Sequence, residues 1–413
     1  MAVKEWGFEY LKLDFLYSAA LDKCQSSYHD PHLTRAQAMQ VGLNLVREAA
    51  GAEVFILGCG APLGAAIGRV NANRISCDAG LSWYPSFPLP YWDKWNLPGA
   101  RSMVRNSINR LGMHNRWWIN DPDCILLRHS THYTDDEVIG IATVKALSGG
   151  SIIISDDLLK VSRDRLRIAD NILPTIGLAA IPVDLLEREM PEILLLPLDD
   201  YVLMGLCNWE GGMKRHSILL EWVCSEKERM RLAEKEKTVL LFMLDFWAGE
   251  CFSFGITAHQ ETLAVPVDIK RHSAAIFAFR LCVDPQLPMY LGSTLHFSCG
   301  REMKRLRRKD SFTVQLSMNS QFLKEDEDWG GSVFLYLPWL SRRGSFVCKE
   351  GPVTTVHDLE EGCVVKILVA QHQEIFVHYQ PDDQPVSKCD DDRHPQSAIK
   401  ERRSILITPF LKK

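Results

Sequence analysis

The triplet Lys12-Leu13-Asp14 is the part of the chain best suited to covalent chemistry. It closes a run over residues 8–13 that reads as a β-strand. Side chains alternate along a strand, so Lys12 and Asp14 point to the same side. A cation beside a carboxylate favours the ionised form, the state in which a carboxylate acts as a nucleophile. More polar groups fall where later strand-like runs end: Gly58-Cys59-Gly60, Asp78, Asn120-Asp121-Pro122-Asp123 and Ser155-Asp156-Asp157. One strand-end aspartate is ordinarily a helix cap. Five such ends in succession, four of them with carboxylates, predict a convergent acidic pocket. Without His or Cys ligand spacing, such a pocket suits carbohydrates, whose glycosidic bonds are cleaved by two carboxylates in different protonation states.

The elements that must hold these groups follow from periodicity. Strand-like runs at 8–13, 54–57, 74–78, 117–120 and 151–155 alternate with helical patterns. Residues 34–50 repeat apolar side chains at Ala38, Val41, Leu45 and Ala49 and stop at Gly51. A second helix covers 100–111 and closes at Gly112. Thr134-Asp135-Asp136-Glu137 is a capping box opening a helix over 135–147, stopped by Gly149-Gly150. A last helix spans 158–173, with Asp156 and Asp157 as its caps. Strands alternating with helices imply parallel pairing, with functional groups at the carboxyl ends of the strands.

From about Pro191 the period changes to short strands at 192–196, 239–246, 274–281, 311–316, 333–337 and 363–370, an all-β pattern. The expected division is therefore 1–188 and 189–413. Residues 226–237 read as a charged helical excursion or solvated loop, the basic run 301–309 as a solvated turn, and 381–403 as a polar, mobile segment.

Bulk properties narrow the class. The 413 residues are 46% hydrophobic and 24% charged, an ordinary globular composition with room for two domains. A net charge of -5 points to neither nucleic acid nor an anionic membrane as partner. The apolar run 239–247 is too short to span a bilayer and carries Asp245. Twelve cysteines with no CxxC pair argue against structural zinc and a small disulfide framework. The segment after Met1 carries Lys4 and Glu5 in place of an apolar signal core, and there is no N-glycosylation sequon. These features lean toward a cytoplasmic protein, although a signal on a longer parent would not be seen. A homo-oligomer stays open.

Several motifs, in order, resemble clan D glycoside hydrolases. Lys12-Leu13-Asp14 is similar to their Lys-x-Asp nucleophile strand, Arg74-Ile75-Ser76-Cys77-Asp78 to their Arg-x-x-x-Asp acid/base strand, and residues 117–124 to their Asn-Asp-Pro-Asp loop. Ala146-Leu147-Ser148-Gly149-Gly150 followed by Ser155-Asp156-Asp157 resembles the last barrel unit of family 36 α-galactosidases. Tyr290-Leu291-Gly292-Ser293-Thr294-Leu295-His296 resembles that family's β domain. The resemblance implies an α/β fold: a partial (β/α)8 TIM barrel of about five βα units, strands four to eight, followed by a C-terminal antiparallel all-β domain. It implies retaining hydrolysis of a terminal α-galactoside, with Asp14 as nucleophile and Asp78 as acid and then base. Lys12 and Arg74 would hold sugar hydroxyls, and Cys59 would line the galactose pocket. Trp83 and Trp92, in the loop after Asp78, would stack on a sugar or cover the rim. Asp121 would touch substrate or, with Asp123, fix the loop. No metal or cofactor is needed. The expected partner is an α-galactoside oligosaccharide.

Three rivals remain at this point. A galactosyltransferase of the raffinose-synthase type, or a sugar-binding pseudoenzyme, would keep the fold. A nucleotide-binding oxidoreductase would use Gly58-Cys59-Gly60 as a dinucleotide fingerprint with Asp78 as the ribose acid. That fingerprint fails in detail: Leu63 replaces the third glycine, and Pro62 occupies the phosphate-binding turn. Because the resemblance enters at the fourth barrel strand, the chain is expected to be a fragment, poorly stable and weak as a hydrolase by itself.

Overall fold

The computed structural model describes residues 5–21, 28–85, 97–225, 228–229, 238–323, 330–369 and 372–382. Trp92, most of 226–237 and residues 383–403 lie outside the described residues.

Four short strands form a parallel sheet in sequence order: β1 (Tyr10–Leu13), β2 (Phe55–Gly58), β3 (Ala72–Arg74) and β4 (Ile119–Asp121). Leu13 lies beside Gly58, Gly58 beside Asn73, and Arg74 beside Asp121. A break at Pro122-Asp123, where Asp123 has φ 67°, separates β4 from β5 (Cys124–Ile125). β5 pairs in parallel with β6 (Ile153–Ile154), and the Ser151 N–H donates to the Asn120 carbonyl. Gly150 is obligatory at this junction, because a Cβ there would stand 1.9 Å from the Asn120 carbonyl oxygen.

Helices α1 (Arg35–Ala50), α2 (Leu63–Ala66), α3 (Ala100–Asn109), α4 (Asp135–Leu147) and α5 (Arg163–Asn171) connect these strands and lead out of them. Capping boxes open α1 at Thr34/Gln37 and α4 at Thr134/Glu137. The core face of α1 is not the expected one. Met39, Leu43 and Ala50 are buried, whereas Val41 and Leu45 are exposed. The helix carries two apolar stripes, and contact with Val54 and Ile56 selects the one that includes Met39 and Leu43. The expected helix over 158–173 is also corrected. It divides into a 3-10 turn, Leu158–Lys160, capped by Asp157, and α5, preceded by Ser162. Asp156 caps neither. It accepts the Leu127 and Arg128 backbone N–H groups and pairs with the Arg128 guanidinium at 2.9 Å.

The remainder is antiparallel. The strands are β7 (Ile181–Pro182), β8 (Ile193–Pro197), β9 (Val202–Asn208), β10 (Lys214–Leu219), β11 (Val239–Asp245), β12 (Glu250–Ile256), β13 (Thr262–Ile269) and β14 (Ser273–Leu281). They are followed by β15 (Met289–Ser293), β16 (Met303–Arg308), β17 (Thr313–Met318), β18 (Gly331–Leu337), β19 (Gly344–Cys348), β20 (Val353–Asp358), β21 (Cys363–Val369) and β22 (Glu374–Pro381). One six-stranded sheet runs β12-β11-β14-β9-β8-β7, with β10 and β13 paired beside it. Two four-stranded sheets, β15-β18-β21-β20 and β16-β17-β22-β19, enclose a core that includes Leu316, Leu335, Val365 and Val377. The basic run expected to be a turn is the edge strand β16, where Lys304, Arg305, Arg307 and Arg308 face solvent.

α4 joins the two regions. It is buried over most of its surface and packs against β14. Gly140 permits this contact, because a Cβ there would stand 2.7 Å from the His272 carbonyl oxygen. One core cluster therefore runs from Met103 and Ile141 to Leu203 and Phe334. Among the described residues no helix is long and apolar enough to cross a membrane.

Candidate active site

β1 delivers Asp14 at its carboxyl end, with Lys12 two residues earlier and its Nζ 3.5 Å from Asp14 Oδ2. The Phe15 N–H donates to Asp14 Oδ1 at 2.8 Å. Phe15 itself has φ 52°, a left-handed kink that turns the chain back over the carboxylate it follows. The Cys59 thiol, just past β2, also donates to Asp14. These groups hold the Asp14 carboxyl below its ordinary range: the Cys59 bond contributes most, then the Phe15 N–H, with Lys12 adding to them against a small burial effect. Burial, and after it the same bond, push the Cys59 thiol up to about 11, so it stays a neutral donor near pH 7. Asp14 remains 46% exposed, as a carboxylate that must meet a solute requires.

These shifts carry a pH prediction. Depression of Asp14 places the acid limb of any activity that needs its carboxylate below the usual aspartate range. Its contribution to stability is likewise present above the ordinary aspartate value and lost as pH falls through the depressed one. Cys59→Ala removes the leading cause. The acid limb of kcat/KM should then move up toward the ordinary value while the rate on the plateau falls modestly; an unmoved limb would show that the thiol does not tune Asp14.

Asp78 is positioned differently from the sequence expectation. Arg74, Ser76 and Asp78 do not share a strand, because β3 ends at Arg74. The Ile75 N–H makes one further bond to the Asp121 carbonyl, and the chain then leaves the sheet. The Ala79 N–H, donating to Asp123 Oδ2, fixes this exit. Asp78 consequently projects from a loop, 76% exposed, with Oδ1 3.4 Å from Arg74 Nη1.

Arg74 is the buried hub, only 7% exposed. Its Nε meets Asp121 Oδ2 at 2.9 Å, and its Nη1 meets Asp123 Oδ1 at 2.9 Å. Burial works against its charge, but Asp121 and Asp123 outweigh that and raise its pKa. Of the two roles expected for Asp121, its position matches loop fixing and not substrate contact: it is fully buried, with Oδ1 accepting the Asp123 N–H. Register explains this: Arg74 and Asp121 are direct partners across β3 and β4, so the carboxylate is consumed by its neighbour. Asp123 joins the same cluster. Sequence reasoning could have found the pairing only through that register.

Trp83 is the second correction. It is 4% exposed and stacks on His272, with centroids 4.2 Å apart at 10°, and on Trp209 at 6.0 Å and 18°. His272 Nδ1 lies 2.8 Å from Glu137 Oε1 of the α4 capping box. Trp83 is thus packed between α4 and the antiparallel region, with no face left for a sugar ring. Trp83→Ala should cost about 3–5 kcal/mol of stability, visible as a lower thermal midpoint, while the affinity of any folded protein for sugar changes little.

The structure therefore gathers Lys12, Asp14 and Cys59 in one contact group and Arg74, Asp78, Asp121 and Asp123 in another. Both lie at the carboxyl end of one parallel sheet, where Cys59 is near enough to Arg74 to feel its charge.

No protein-family model matches the chain. Among solved structures the chain is similar to α-galactosidase I from Mortierella vinacea, with 14% identity over 67% of this chain and 69% of that one, TM-score 0.47. It is also similar to an α-galactosidase from Saccharomyces cerevisiae, with 16% identity over 68% and 74%, TM-score 0.45. An α-galactosidase from Thermus thermophilus in complex with stachyose shares 26% identity over 41% of this chain and 35% of that one, TM-score 0.36.

Proposed function

We propose that the chain is a retaining glycosidase of the α-galactosidase type, of family 36, with Asp14 as nucleophile and Asp78 as acid/base. On this reading β1 to β6 correspond to strands four to eight of an eight-stranded barrel, β4 and β5 being one interrupted strand. Asp14 attacks the anomeric carbon of a terminal α-galactoside while Asp78 protonates the departing glycosidic oxygen. Water, deprotonated by Asp78, then cleaves the glycosyl–Asp14 ester and restores both carboxyls.

One observation carries the reading. Two exposed aspartates, each beside a cation, leave the same end of parallel strands that have one strand between them. Neighbouring strands lie about 4.8 Å apart, so the ends of β1 and β3 stand about 10 Å apart, and Asp78, in the loop after β3, is tied to the β3 end by its 3.4 Å contact with Arg74 Nη1. Side chains converging across that space fit the roughly 5–5.5 Å carboxyl separation of a retaining pair. Cys59 and Arg74 occupy the strand ends between them, which suits a pocket closed by one neutral donor and one fixed cation. Turnover by the isolated chain should be slow, because the outer edge of β1 has no pairing strand among the described residues and Trp6, Phe8 and Tyr10 beside it are exposed.

Slow turnover does not prevent a covalent test. A 2-deoxy-2-fluoro-galactosyl fluoride keeps its good leaving group, while the 2-fluorine slows release of the glycosyl ester. Intact mass should rise by one fluorogalactosyl unit, mapped to the peptide containing Asp14, and Asp14→Asn should stay unlabelled. Label on another residue, or none in a protein that binds galactose, would overturn the assignment.

A further inference from the structure

Beyond its acidic first turn, helix α4 carries one charged side chain, Lys145, in its last turn, which is only 1% exposed. A buried ammonium is costly unless its protons are engaged. Here Nζ donates to the Pro122 carbonyl at 2.6 Å and to the Asp123 carbonyl at 2.8 Å, with Met103 Sδ at 3.4 Å. Both carbonyls belong to the break between β4 and β5, where the left-handed Asp123 turns the backbone so that they face the helix. The same turn sends the Asp121 and Asp123 carboxylates the other way, onto Arg74.

We infer that Lys145 is a positioning residue for the acid/base group, acting through the 121–123 turn and Arg74 on Asp78; this rests on the reading of Asp78 given above. The path consists of direct contacts. Lys145 fixes the Pro122 and Asp123 carbonyls, the turn orients two carboxylates, and those carboxylates lock the Arg74 guanidinium. Arg74 and the Asp123–Ala79 bond together set where Asp78 leaves the sheet. The charges also balance: Arg74 pairs directly with the Asp121 and Asp123 carboxylates, and Lys145 adds a second buried cation on the backbone of the same turn. Without Lys145 the turn would bury two carbonyls stripped of their donor, beside two carboxylates that share one cation. Burial depresses the Lys145 pKa to about 8, with Asp123, Cys124 and Asp121 opposing that and Arg74 adding to it. The side chain is therefore mainly an ammonium at neutral pH.

The experiment uses the full chain with ¹⁵N-labelled arginine and compares wild type with Lys145→Met and the milder Lys145→Gln. Hydrogen exchange at Arg74 Nε reports the lock on Arg74 directly and needs no turnover. Arg165, whose Nε pairs with Asp135 at the opposite end of α4 and whose other bonds go to the Leu127, Arg128 and Tyr133 carbonyls, is an internal control outside the turn. The expected result is exchange at Arg74 at least about tenfold faster in Lys145→Met and intermediate in Lys145→Gln. Exchange at Arg165 and the amide protection of α4 should be unchanged. In parallel, kcat on a galactoside with a poor leaving group should fall about 10- to 100-fold at nearly constant KM, the scale of a displacement of about 1 Å in a catalytic group. Unchanged Arg74 exchange in folded variants would overturn the inference, as would failure of both variants to fold, which would make Lys145 a determinant of the fold and not of the site. The exchange readout stands apart from substrate identity. If Asp78 is not the acid, that failure appears separately, in the leaving-group pattern of Asp78→Ala.

Discussion

Asp14→Asn should lower kcat/KM on an activated aryl α-galactoside by a factor on the order of 10⁴ or more and leave the thermal midpoint nearly unchanged. The size follows from the role: without a carboxylate the first displacement has no nucleophile, and water cannot enter from the face that Asp14 occupies. The small effect on folding follows from exposure, since Asp14 is half exposed and an asparagine can still accept the Phe15 N–H and Cys59 thiol bonds. The stronger form of the test uses Asp14→Gly with azide. Azide should enter where the carboxylate stood, attack the anomeric carbon from that side and yield the β-configured galactosyl azide. Recovery of that product assigns the face and the role together. An Asp14→Asn protein with wild-type turnover would end the assignment.

Asp78→Ala should show a dependence on the leaving group that Asp14→Asn does not. The sugar alcohol expelled from an oligosaccharide such as raffinose departs only with a proton, so hydrolysis of that substrate should fall about 10²- to 10⁴-fold. Fluoride departs from a galactosyl fluoride without one, so the first step should be nearly intact and the glycosyl ester should accumulate, because the base for the second step is missing. A burst of fluoride followed by a slow steady state is the expected trace. Uniform losses on both substrates would mean that Asp78 binds and does not transfer protons. The exposure of Asp78 suits the acid role, since the group must exchange its proton with the leaving oxygen and then with water.

The grouping of Lys12, Asp14 and Cys59 was legible in the sequence because it is local. Lys12 and Asp14 sit two residues apart on one strand, and Cys59 follows the next strand in the chain, so alternation and order were enough. The group around Arg74 and Asp78 depends on register and on long-range packing, and there the sequence misled. Asp121 looked like a pocket carboxylate, but its strand partner is Arg74, and a buried cation takes whichever carboxylate lies directly across. Asp78 looked like a strand residue because 74–78 alternates well, but the Ala79–Asp123 bond takes the chain off the sheet first. Trp83 looked like a sugar platform because it follows a catalytic position; its actual partners, Trp209 and His272, lie more than a hundred residues away and leave no periodic trace. Two signals were present and unused. A single lysine in the otherwise apolar run 138–147 marks a buried ammonium that needs carbonyls. The paired stripes of α1 gave equal claims to two faces, which only the position of the sheet could decide.

Trp83 lies five residues beyond Asp78, and its ring is held by side chains from the far side of the molecule. Severing the chain near residue 188 would remove both rings it rests on and open a slot beneath the loop that carries Asp78. The parallel-sheet half cannot then be inherited, exchanged or engineered as a free module. Any recombination that replaces the trailing sheets must also supply an aromatic seat for that tryptophan, or the loop with Asp78 loses its anchor even though neither contact group at the sheet end has changed.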